Sequence, residues 1–116
     1  MASISLREAS DAEVAIVYAS GAKHIVGTAD GDAIAYIGFK RISGHLWGMY
    51  HPFVPAHPSV WNRLFYAFRR ELRAQGEPVY VLARDADAAR VLQLLGLKPT
   101  GEHSFGKEIW RWTPRH

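Results

Sequence analysis

His45-Leu46-Trp47-Gly48-Met49-Tyr50-His51-Pro52-Phe53-Val54 reads as a strand that runs through Pro55-Ala56-His57-Pro58-Ser59 into a long helix over residues 60–75. Gly76 stops that helix. Pro78-Val79-Tyr80-Val81-Leu82-Ala83 is a short, apolar, β-branched run, hence a second strand, and Asp85 caps a compact helix that closes at Gly96. A strand, helix, strand crossover sets the N-terminus of its helix beside the end of the preceding strand. Sheets of this kind bind ligands at that junction.

Upstream, residues 3–9 form a first strand, and Ser10-Asp11-Ala12-Glu13 matches a capping box, so a helix begins near Asp11 and ends by Gly21. Residues 23–29 give a second strand. Asp30-Gly31-Asp32 is a hairpin signal before Ala33-Ile34-Ala35-Tyr36-Ile37-Gly38-Phe39, whose apolar residues on both faces mark a central strand covered on each side. Ser43-Gly44 turns the chain into the His45 strand. Downstream of Gly96 two final strands follow, over residues 97–102 and 107–112, joined by Ser104-Phe105-Gly106, and the tail Pro114-Arg115-His116 is expected to fray. The fold class is mixed α/β, or α+β: a central mixed, mostly antiparallel sheet flanked by helices.

The chain has 116 residues, of which 48% are hydrophobic and 22% charged, which suits one globular domain spanning residues 1–116. It has no cysteine, which excludes disulfides and thiolate metal or redox sites and makes a cytoplasmic location the expectation. No apolar run approaches the roughly 20 residues of a membrane helix, and the first residues lack the basic and apolar regions of a signal peptide. The net charge is +3, and much of the positive charge is carried by Arg63, Arg69, Arg70 and Arg73 of the long helix. Such a face can attract anions. With neither a nucleic-acid motif nor a stacking-aromatic pattern beside it, it reads as solvated, and neither nucleic acid nor membrane is the expected partner.

Tyr50 and His51 close the fourth strand, and either has the chemistry of a proton donor or general base. Alternation sets them on opposite faces of the sheet. His45, His51 and His57 recur every six residues, but His45 and His51 would stand about 20 Å apart along a strand, too far for one ion, so no metal site is assigned. Ser59 is the expected N-cap of the long helix. Trp61, Leu64, Phe65, Phe68 and Leu72 fall at helical spacing and read as its core face. Trp110 and Trp112 share one strand face, suited to an acceptor pocket, a dimer seam or plain packing.

This order of elements resembles the GCN5-related N-acetyltransferase fold over nearly the whole chain. Pro52-Phe53-Val54-Pro55 is similar to the end of that family's fourth strand, Asp85 with Ala88 to its asparagine and alanine after the fifth, and Leu95-Gly96-Leu97-Lys98-Pro99 to its closing leucine-glycine-phenylalanine turn. The resemblance implies transfer of an acetyl group from acetyl-CoA to a small-molecule or protein amine. It places the pantetheine arm on the backbone of Phe53 and Val54, and pyrophosphate on the amides of Ser59, Val60, Trp61 and Asn62. Arg63 supplies compensating charge, Asp85 joins the cofactor-binding set, and Tyr50 and His51 stand where the acetyl group is presented.

Two positions depart from the family pattern. Residues 56–62 contain no glycine where the family's phosphate loop has two, and Leu92 stands where many members carry a tyrosine acid. Small phage-encoded proteins of this fold, among them virion and head-assembly components, are similar in lacking the glycine loop. The leading expectation is therefore an N-acetyltransferase. The alternative is a catalytically silent module of the same fold that binds a protein partner or a second copy of itself, its groove filled by Trp61 or its neighbours.

Overall fold

The computed structural model describes residues 3–13, 23–55 and 57–114. Its strands are β1 (Ile4–Glu8), β2 (Lys23–Ala29), β3 (Asp32–Ile42), β4 (His45–Pro52), β5 (Val79–Ala83), β6 (Lys98–Ser104) and β7 (Lys107–Trp112). Helix α1 (Pro58–Gln75) joins β4 to β5, and α2 (Ala86–Leu94) joins β5 to β6. One sheet holds them all in the order β1-β2-β3-β4-β5-β7-β6, and only the β4–β5 pair is parallel. The mixed, mostly antiparallel sheet expected from the sequence is the one observed.

Local chemistry explains the connections. Ser43 and Gly44 have φ of 52° and 82°, the left-handed pair that a two-residue hairpin needs to match the twist of its strands, and Asp30-Gly31 and Phe105-Gly106 repeat the device. Ser10 and Glu13 form the expected capping box, Ser10 N–H donating to Glu13 Oε1 at 2.9 Å and Glu13 N–H to Ser10 Oγ at 3.2 Å. Residues 11–13 are helical, and the rest of the helix expected there, to Gly21, lies outside the described residues, as do the last two residues of the tail.

Residues 34–39 of β3 are all buried, as a strand covered on both faces must be. On one face Ile25, Ile37, Leu46, Val79 and Val81 pack against Leu64, Phe65, Phe68 and Leu72 of α1 and Leu92 of α2. Trp110 and Trp112 belong to this same core, so plain packing is what the last strand's aromatic face does. On the opposite face Val26 and Tyr36 are buried, with Ala9, Ala33 and Phe53 against them. Among the described residues no helix is long and apolar enough to cross a membrane.

Candidate functional site

The strands flanking α1 touch over a short length. Leu46 pairs with Val79 and Trp47 with Tyr80, and there the parallel ladder ends. β4 nevertheless stays on β3 as far as Pro52 opposite Ala35, while β5 stays on β7 as far as Ala83 opposite Glu108. The sheet therefore parts between β4 and β5. Gly48 sits at the root of the gap, where a Cβ would stand 3.1 Å from Val79 Cγ1 and 3.2 Å from Val81 Cγ2.

Backbone orientation along the gap follows from one bond: Phe53 N–H donates to Ile34 C=O at 2.8 Å. Hydrogen-bonded pairs alternate along an antiparallel ladder, so His51 and Met49 also turn their peptide groups to β3, and Tyr50 turns its own toward the gap. The amide of Phe53, expected to meet a ligand, is thus spent on β3. Tyr50 and the Pro52 carbonyl take the gap-facing positions within the strand, and Val54, just past its end, is exposed.

Tyr50 carries its ring into an aromatic cluster on the α1 side, with centroids 6.4 Å from Trp61, 6.3 Å from Phe65 and 6.4 Å from Phe68. Trp61 in turn stacks on Phe65 at 5.5 Å. Burial pushes the Tyr50 phenol up to about 12, against a smaller opposing effect of the Arg84 charge. Tyr50, Gly48, Val81 and Leu92 share the lining of an apolar cavity of about 10 Å³, at the lower bound for one water. His51, on the other face, sets its ring edge-on to Phe53 at 5.6 Å. Burial first and Arg84 second hold its pKa below the ordinary 6.5.

Arg84 is not among the residues the sequence singles out, yet its charge acts on both members of the pair. It directly follows β5, at the end where β4 has moved away, and Lys107 Nζ donates to its carbonyl at 2.9 Å. A cation at the first position past the fifth strand was the available signal.

The start of α1 differs from expectation. His57, not Ser59, is the N-cap, and the helix begins at Pro58. Proline suits the first helical position because its φ is preset and its missing N–H would have had no partner there. The cap then falls one residue earlier. His57 Nδ1 accepts the Ser59 N–H at 3.2 Å, and the His57 carbonyl accepts Val60 N–H at 2.9 Å and Trp61 N–H at 3.2 Å. Three of the four amides expected to cradle a phosphate, those of Ser59, Val60 and Trp61, thus have acceptors within the chain. Asn62 and Arg63 line a groove of about 480 Å³ against Ile4, Ser5 and Leu6 of β1. Asp85 is the N-cap of α2, its Oδ1 accepting Ala88 N–H at 2.8 Å. The three spaced histidines are dispersed: His45 rests on Tyr80, His51 on Phe53, and His57 caps α1.

No protein-family model matches the chain, and no curated protein sequence is similar to it. Solved structures do resemble it. A domain from Methanocaldococcus jannaschii DSM 2661 superposes with a TM-score of 0.68 at 8% identity, over 97% of this chain and 99% of that one. YncA of Salmonella typhimurium, a provisionally assigned acetyltransferase solved with its cofactor acetyl-CoA, gives 0.59 at 14% identity over 95% and 93%. A GNAT-family acetyltransferase of Bacillus anthracis gives 0.59 at 10% identity over 89% and 73%. What the chain shares with these proteins is a fold, and that fold is a divergent form of the GCN5-related N-acetyltransferase fold.

Proposed function

We propose that this chain is an N-acetyltransferase that moves an acetyl group from acetyl-CoA to an amine, because β4 and β5 part beyond the Trp47–Tyr80 register. A gap with a peptide group turned into it suits the amide-rich pantetheine arm, held by the backbone of Tyr50 and Val54 and walled by Phe53. The start of α1 fits pyrophosphate less readily. The Ser59 amide would receive it only if the His57 ring swings away, and those of Val60, Trp61 and Asn62 only if the first turn of α1 loosens, with Arg63 offsetting the charge and Asp85 keeping its place at the cap of α2.

When bound, acetyl-CoA supplies the activated thioester. His51, kept neutral near pH 7 by burial and by Arg84, takes the proton that the attacking amine must lose. Tyr50, whose phenol stays protonated with a pKa of about 12, gives a proton to the departing sulfur. The two side chains lie on opposite faces of the sheet, so for both to act the reacting carbon has to lie within the gap itself, between the two faces. Tyr50 also borders the same cavity as Leu92, and so stands in for the tyrosine missing from α2. Arg84 offsets negative charge as it develops. The setting is the cytoplasm, and the acceptor is a small-molecule or protein amine.

The second reading, a silent protein-binding module such as a phage virion or assembly component, draws support from the satisfied helix amides and the Tyr50–Trp61–Phe65 packing. Calorimetric titration with acetyl-CoA separates the two. Micromolar binding, equivalent to about 8 kcal/mol, supports the enzyme and directs a screen of amines by thiol release. Binding by Trp61→Gly but not by the parent identifies Trp61 as a plug and favours the silent module, and no heat from either removes the enzyme reading.

A further inference from the structure

Where β5 starts and β7 finishes, with Val79 opposite Trp112, the molecule carries a groove that the acyl-transfer reading does not use. It encloses about 780 Å³, within the range of small-molecule sites. Arg69 and Arg73 of α1, Lys98 of β6 and Arg111 of β7 line it, with Leu95, Pro99 and Pro114 among the walls, and no carboxylate does.

These cations are arranged against the interests of folding. Arg69 and Arg73 stand four residues apart on one helix, and Lys98 and Arg111 are direct register partners, both of which are repulsive placements. The helix dipole accounts for Arg73 in the last turn, and for none of the others. Among the described residues none of the four has an ion pair or side-chain hydrogen bond. Outside the groove Arg7, Lys23 and Arg41 have carboxylate partners, Glu13 at 2.7 Å, Glu71 at 3.2 Å and Glu77 at 2.7 Å.

We propose that this groove binds a small, multiply charged phosphate compound. Guanidinium forks match phosphoryl oxygens in shape and charge, and the repulsion among the four cations is relieved only when an anion enters. The alternative polyanion, a single-stranded nucleic acid, wants aromatic platforms on which bases stack. Here the one aromatic in the lining, Trp112, is buried.

The probe is tripolyphosphate, titrated calorimetrically into the intact chain at low ionic strength. Saturable one-to-one binding is expected, weakening about tenfold or more as salt rises from about 20 to 200 mM. The paired substitution Arg69→Gln with Arg111→Gln should weaken it about tenfold or more while leaving the melting temperature equal or higher, since it removes repulsion. Arg90→Gln on the exposed side of α2 lowers the net charge outside the groove and should leave binding intact. Lys98→Gln is the substitute should the paired variant fail to fold. Absence of saturable heat, equal loss from Arg90→Gln, or tighter binding of a single-stranded oligonucleotide that displaces tripolyphosphate would each overturn the proposal.

Discussion

His57 Nδ1 accepts the amide of Ser59 at 3.2 Å, so an imidazole holds the place that an anion at the start of α1 would take. Stability and ligand binding are in conflict at this residue. Aspartate is a stronger N-cap than histidine and complements the helix dipole, so His57→Asp should raise stability by about 0.5–1 kcal/mol. It also adds negative charge where pyrophosphate is assigned, so acetyl-CoA should bind several-fold more weakly. Thermal melting and calorimetry on the one variant check both. If the two measurements moved in the same direction, the assignment of phosphate to this helix start would be wrong.

Tyr50→Phe removes a hydroxyl and keeps the ring that packs on Trp61, Phe65 and Phe68. If the phenol is the acid for the departing sulfur, kcat should fall by about 10²-fold or more, with little change in acetyl-CoA affinity or melting temperature. The pH profile carries a second signature. With its pKa pushed up to about 12, Tyr50 stays protonated across the assay range and adds no alkaline limb. His51 sits below 6.5, so kcat/KM should be flat through neutrality and fall only as pH drops beneath that value. His51→Gln should abolish the acid limb.

Much of the framework was legible because it rests on local chemistry. β2 and β7 run over the residues that apolar patterning and turn signals marked, and the turns Asp30-Gly31 and Ser43-Gly44 follow from glycine at left-handed positions. The site was less legible. Ser59 is the better capping residue by type, and Pro58 overrode that preference by occupying the first helical position itself. Counting the register back from the Ser43-Gly44 hairpin would have placed Phe53 opposite Ile34 and shown its amide to be taken. The reach of Arg84 to Tyr50 and His51 could not be counted in this way, because it depends on how far two strands separate in space.

Gly38 makes room for Tyr36. A Cβ at Gly38 would fall 2.0 Å from the Tyr36 hydroxyl oxygen and 2.6 Å from Cζ, and the ring cannot swing away because Tyr36 is only 1% exposed. Its hydroxyl is moreover held against His24 Nδ1 at 2.5 Å. Gly38→Ala should therefore destabilise the fold by about 1–3 kcal/mol through overpacking. In Tyr36→Phe the same glycine substitution should cost less, because the nearest clashing atom is gone while Cζ remains. Urea denaturation of the four proteins of this cycle measures the coupling. Additive costs would show that the backbone, and not the ring, yields to the added methyl group.

Glu13 links the first strand to the helix that follows it. Two hydrogen bonds of 2.7 Å from the Arg7 guanidinium, together with the capping bonds to Ser10, hold its carboxyl at about 2, below the ordinary 4.5. The folded protein thus favours the charged form more strongly than the unfolded chain does. Its contribution is fully present above about pH 4.5 and is lost as pH falls through the interval from 4.5 to 2. Melting temperature should accordingly drop across that window. Arg7→Gln removes the largest cause of the shift and should flatten the drop, leaving only the part due to Ser10. Because the Arg7 side chain is 43% exposed, about 0.5 M salt should shrink the difference between parent and variant. A parent and an Arg7→Gln variant with superimposable acid limbs would show that the ion pair holds nothing that unfolding must break.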